Sequence, residues 1–171
     1  MNALAHLDFL FTAAEVAAAF VGFSLVVSVF RPESASDAVR MGSLRDVAEI
    51  GLSAIAASFA PYVFHVFGSS PDAVWRASSL LFAIGGFVAF YLGYRRFSRL
   101  GGAPPWRTAP LFAVVSGALT SLGNGLLWWN VLAPSALSGP RYVLALLLLL
   151  ALAGFIFVFA AFRRPDAPAA R

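Results

Sequence analysis

The fold class predicted for this chain is all-α: a polytopic membrane helical bundle of five transmembrane helices, with the N-terminus outside and the C-terminus inside. Three observations predict it. Of 171 residues, 60% are hydrophobic and only 12% charged, whereas soluble domains hold roughly 45–50% apolar and 25% charged residues. The apolar residues gather into five runs, each about long enough to cross a ~30 Å hydrocarbon layer at 1.5 Å per residue. Clusters of Gly and Pro separate the runs, as turn chemistry requires. Helix is preferred to strand because an open sheet leaves backbone groups unpaired in lipid, and the period-two alternation of barrel strands is missing. The length suits one domain, 1–171.

The first span is expected at about 7–30, ending at Arg31-Pro32-Glu33-Ser34. It has no positively charged leader and is too long for a cleaved signal peptide, so it is expected to remain in the mature protein. The second span, about 44–67, follows a stretch where Ser36 and Asp37 offer a cap to a helix that starts in water, and Pro61 is expected to kink its far end. Gly68-Ser-Ser-Pro-Asp72 precedes the third span at about 74–94, and Gly101-Gly-Ala-Pro-Pro105 the fourth at about 109–129. Ala133 to Pro140 leads into the fifth, about 142–162, which has no polar side chain beyond Tyr142 and is expected to form the lipid-facing wall. The connections are too short for a separate soluble domain.

Orientation follows from arginine, the only basic residue besides histidine. With the N-terminus outside, ten of the twelve arginines fall inside, leaving Arg76 and Arg141 outside. That is the positive-inside pattern. Trp75, Trp128 and Trp129 then mark the outer boundary and Trp106 the inner one. Arginines at span ends set topology, so the net charge of +4 does not point to nucleic acid.

Small residues recur every four positions at Ala113, Gly117, Ser121 and Gly125, and again at Ala14, Ala18 and Gly22. Such faces let helix backbones approach closely, and helix packing is the expected use. Gly85-Gly86 can serve the same end. Ser116, Thr120 and Asn124 form a polar stripe beside the first of these faces, expected to point inward.

Glu15 carries the functional question. Eight residues into the first span, it lies about 12 Å deep, where insertion scales put a charged side chain at roughly 2.5–3.5 kcal/mol. Asn124 falls at a similar depth, so the expected partners of Glu15 are Asn124, Thr120 and Ser116. That set is read either as a polar pathway for a proton or cation or as helix–helix glue. A second group, Asp46, Glu49 and Ser53, continues into the membrane from the inner boundary. Arg45 stands four residues from Glu49, and Arg95, Arg96 and Arg99 end the third span on the same side. This group is read as a salt-bridged interfacial cluster or as a charged vestibule, which an oligomer would repeat as a ring.

Several chemistries are not expected. Cysteine is absent, which removes disulfides, thiolate catalysis and Cys metal sites. His6, Asp8, His65 and Asp72 lack a recognised ligand spacing, so no metal is expected, and no cofactor. No phosphate-binding glycine loop with Lys, His-Glu-x-x-His or Gly-x-Ser-x-Gly occurs, so no catalytic residue is assigned and the chain is not expected to be an enzyme. An acidic first span followed by FVGF and an arginine-rich loop resembles bacterial inner-membrane proteins only in general outline, and no family's activity carries over. The expectation is a homo-oligomeric proton or cation channel or transporter of the bacterial inner membrane. Its alternative is a non-conducting scaffold or assembly partner that binds other transmembrane helices. The expected partners are the lipid bilayer and further copies of the chain.

Overall fold

The computed structural model describes residues 6–30, 38–99 and 110–162. They form five helices: α1 Leu7–Val29, α2 Ala38–Val66, α3 Pro71–Arg99, α4 Pro110–Leu132 and α5 Ser138–Phe162. Among the described residues there is no strand. Each helix holds a stretch long and apolar enough to cross a membrane, so this is a multi-pass, all-helical membrane protein. The expected spans match these helices closely, although α2 and α3 run past theirs, to Ala38 and Arg99. Ser36 and Asp37, expected as a cap, lie outside the described residues. One end of the bundle holds His6, His65 and the start of α5, and is called the histidine end below. The other, with Arg45 and Arg95, is the arginine end.

The α2–α3 turn shows how the sequence stops one helix and starts the next. Gly68 adopts φ +79°, a left-handed conformation that costs glycine little. Its N–H donates to the His65 carbonyl at 3.0 Å, while Ser69 N–H reaches back to Phe64 O at 3.3 Å. Together these bonds form a Schellman cap. Ser70 then caps α3, its hydroxyl accepting from Ala73 N–H at 3.4 Å. Pro71 follows at the first helical position, where a missing N–H costs nothing.

Around α5 the helices make contacts in chain order, α1 with α2, α2 with α3 and α3 with α4, and each of the four also touches α5. Helices α1 and α4 do not touch among the described residues. This overturns the expectation that the fifth span is the lipid wall. Its apolar sequence serves burial among helices, with Tyr142, Ala145, Leu146, Leu150, Ala153 and Ile156 inside. Among its described residues, Pro140 at the start and a strip through Leu144, Leu147, Ala151 and Val158 are exposed.

Small side chains make the core. Ala13 and Ala17 of α1 meet Ala54 and Ala57 of α2, while Phe23, Phe87 and Leu111 face outward. Lipid tails are as apolar as leucine, so helices associate in a bilayer through close packing, and small residues allow it. Gly51 marks the tightest approach: a Cβ there would lie 2.6 Å from Val21 Cγ2 and 3.1 Å from the Ala17 carbonyl oxygen.

One tyrosine links three helices. Pro61 lies inside α2 and has no N–H to donate to the carbonyl of Ala57, one turn earlier. Tyr142 of α5 supplies the missing donor, its hydroxyl donating to Ala57 O at 2.7 Å. The same ring packs against Trp75 and Phe82 of α3, with centroids 5.6 and 6.0 Å away. Tyr142→Phe is therefore expected to lower stability by about 1–3 kcal/mol, the cost of leaving a buried carbonyl unsatisfied. Because Pro61→Ala restores a backbone donor, the same Tyr142→Phe change should cost clearly less in that background. Denaturant titration of the four proteins in micelles checks this, and strict additivity would contradict the assignment.

Candidate functional site

Glu15 is exposed and has no hydrogen-bond or ion-pair partner among the described residues. The buried side of α1 carries Leu10, Ala13, Ala14, Ala17 and Ser24. At 100° per residue Glu15 stands on the opposite side. Asp8, Thr12, Ala19 and Gly22 share that exposed side with it. The Thr12 hydroxyl is already committed to the Asp8 carbonyl at 2.9 Å.

The structure does not bring Glu15 together with Ser116, Thr120 and Asn124, because α1 and α4 are not in contact. The expected partnership is thus corrected within one chain. The stripe is half-buried and satisfies itself locally. Ser116 Oγ donates to Phe112 O at 2.6 Å, Thr120 Oγ1 to Ser116 O at 2.8 Å and Asn124 Nδ2 to Thr120 O at 3.1 Å. Back-bonding of this kind is the usual resource of short polar side chains in helices. Asn124 also turns toward α3, where a Cβ on Gly86 would lie 3.8 Å from its Oδ1.

The small-residue face of α4 is likewise not used inside the chain. Gly117, Ser121 and Gly125 are exposed, and nothing lies within 4 Å of a Cβ built on either glycine. Of the α4 span, 11% is buried, against 28–39% in the other four helices. The close approach of α4 to α5 runs through Gly123 instead, 3.7 Å from the Ala145 carbonyl oxygen on the same measure. On α1 the expected face splits similarly, with Ala14 buried and Ala18 and Gly22 exposed. Gly85 also faces open space.

At the arginine end, Arg45 Nε donates to Glu49 Oε1 at 2.8 Å across one turn of α2. With side chains 63% and 44% exposed, this pair contributes no more than a fraction of a kcal/mol, as exposed i,i+4 pairs do. Ser53 donates to the Glu49 carbonyl at 2.9 Å, and both Ser53 and Asp46 are exposed. The Arg95 guanidinium lies over Tyr91, 5.8 Å from the ring centre. The side chains of Arg96 and Arg99 fall outside the described residues. This group forms a charged surface on α2 and α3.

Among the described residues, the fully buried serine and asparagine side chains are Asn130, Ser78, Ser79 and Ser138 near the histidine end, which sequence reasoning passed over, with Ser58 and Ser24, two serines among apolar neighbours, deeper along the helices. Asn130 Nδ2 donates to Ser79 Oγ at 3.2 Å and to the Ser138 carbonyl at 2.9 Å, tying α3, α4 and the first residue of α5 together. The only signal for it was an amide beside two tryptophans at a span end. Nearby, His6, Pro71, Asp72, Trp75, Ser135, Ala136 and Gly139 line a cavity of about 50 Å³. Small-molecule sites usually measure roughly 300–1,000 Å³, so this one suits a few waters. His6 packs edge-on to Trp75, ring centres 6.1 Å apart, and His65 Nδ1 is buried without a partner among the described residues.

Comparison of the chain with protein-family models, with curated proteins and with solved structures gives no match.

The contrast between a partnerless surface carboxyl and a buried amide is measurable. Glu15→Gln is expected to leave stability in micelles within about 0.5 kcal/mol of wild type, whereas Asn130→Ala should lose about 1–3 kcal/mol with its two bonds. Equal losses in thermal or denaturant unfolding would show that Glu15 is a structural residue of the monomer.

Proposed function

We propose that the protein is a non-conducting helix-docking component of the bacterial inner membrane, a scaffold or assembly partner that binds transmembrane helices through the open faces of α1 and α4. The observation that carries this reading is the exposed Gly117–Ser121–Gly125 face with open space over both glycines. Small-xxx-small faces bring helices together in bilayers, and this one has no partner among the described residues. The arginine distribution supports an N-terminus outside, with the histidine end external. The self-satisfied polar stripe on α4 and the placement of Glu15 opposite the α1 packing face argue against an ion pathway through one chain.

A second reading, conduction of a proton or cation along a boundary between copies, draws on one feature. Asp8, Thr12 and Glu15 line up on the exposed side of α1, and an intramembrane carboxyl is a functional feature by default. Two measurements separate the readings. A photoreactive side chain at Ser121, in native membranes, is expected to label a transmembrane polypeptide, and the same group at exposed Phe87 of α3 is not. Vesicles containing the purified protein and a pH-sensitive dye should be as proton-tight as empty ones. A proton flux abolished by Glu15→Gln would instead establish conduction.

A further inference from the structure

We propose that the helix received by the open face of α4 is α1 of a second copy of this chain, so that copies join head to tail with Glu15 seated on α4 of its neighbour. This rests on the docking reading above and names its partner.

The two faces match in position. Helices α1 and α4 are the two ends of the contact series around α5 and do not touch each other. They run in opposite directions through the membrane, α1 starting and α4 finishing at the histidine end. Copies inserted the same way therefore present them antiparallel. Counted from that end at 1.5 Å per residue, Glu15 and Gly125 lie about 12 and 10 Å deep, Ala19 and Ser121 about 18 and 16 Å, Gly22 and Gly117 both about 22 Å. Each of these residues is exposed, and Gly22, Gly117 and Gly125 have open space at the Cβ position. The register spans about two turns and sets Ala19 against Ser121 and Gly22 against Gly117, small residue against small residue, with Gly125 leaving room for Glu15, which permits backbone approach.

The polar groups match as well. Glu15 needs donors in a water-poor layer and has none among the described residues of its own chain. On the receiving face, the Ser121 hydroxyl and the Trp128 indole N–H are exposed and have no hydrogen-bond partner among the described residues. They bracket the level of Glu15 from below and above. A carboxyl laid over Gly125 has both within reach, and its partner contacts come from the neighbouring copy. Each copy both offers its α1 and receives one on its α4, and the angle between the two faces decides whether this closes as a two-fold pair, with each copy giving and receiving, or continues into a larger ring or chain.

The absence of native cysteine allows a direct test in the full-length protein in membranes. The double variant Ala19→Cys/Ser121→Cys should give an oxidation ladder of disulfide-linked species from dimers upward, since disulfide formation needs Cα atoms roughly 4.4–6.8 Å apart. Each single variant should stay monomeric. Gly117→Ile should abolish the ladder without lowering the melting temperature. Single-molecule photobleaching of the wild type in vesicles should show more than one copy per spot. Dimers from Ser121→Cys alone would overturn the proposal in favour of a two-fold α4–α4 contact. Single copies by photobleaching would also overturn it. If a photoreactive Ser121 variant still labels a different transmembrane protein under those conditions, self-association fails and the docking reading stands. If it labels nothing, both fail.

Discussion

Where the surrounding solvent is hydrocarbon, moving an apolar side chain from outside to inside gains almost nothing, and everything else in this bundle depends on that constraint. What remains is contact: the number of atoms that two helices can bring within van der Waals range. The chain answers by placing its alanines and one glycine, Gly51, along the α1–α2 seam and turning phenylalanines outward. In water the same arrangement would be inside out. The tight seam holds α1 at one side of the bundle, and the buried face it creates fixes which residues of α1 look away.

The same solvent sets the rule for polar groups, which must find partners within the protein. Most do so locally. Ser24, Ser28, Ser58, Ser116 and Thr120 donate to carbonyls of their own helices, which satisfies the hydroxyl and creates no tie between helices. Tyr142 and Asn130 are different, because each spends its donors on another element and so fixes how helices meet. Against this pattern Glu15 stands out. It is an acidic residue set well inside a span, and it makes no hydrogen bond or ion pair with any described residue of its own chain.

The spans and turns were legible in the sequence because they depend on length and local chemistry. A run of apolar residues must cross the bilayer, and Gly68-Ser-Ser-Pro71 spells a helix stop and start. Which way a helix faces was not legible, and the reason is physical. In a soluble helix the polar side reveals the surface, but here core and surroundings are equally apolar. The leucine-rich α5 therefore read as a lipid wall although it contacts all four other helices, and the Gly117–Ser121–Gly125 stripe read as a packing face with nothing to say whether its partner lies inside the chain or outside it. For Glu15, sequence gave its depth but not its direction, because direction depends on which side of α1 packs against α2. The role of Tyr142 was legible in principle. A proline inside a buried helix leaves one carbonyl without a donor, and a lone tyrosine at the start of an otherwise apolar helix is a candidate to supply it.

The helix that contacts all four others is also the fifth of the five to be made. At synthesis rates of about 5–20 residues per second, α5 follows α1 by on the order of ten seconds. Until α5 arrives, the helices already made have their neighbour-to-neighbour contacts alone, the Ala57 carbonyl has not met its tyrosine, and Asn130 has no Ser138 to hold. Consolidation of the five-helix bundle thus waits for α5, and a nascent chain stalled before it would display, besides the faces already open, the surfaces that α5 normally covers.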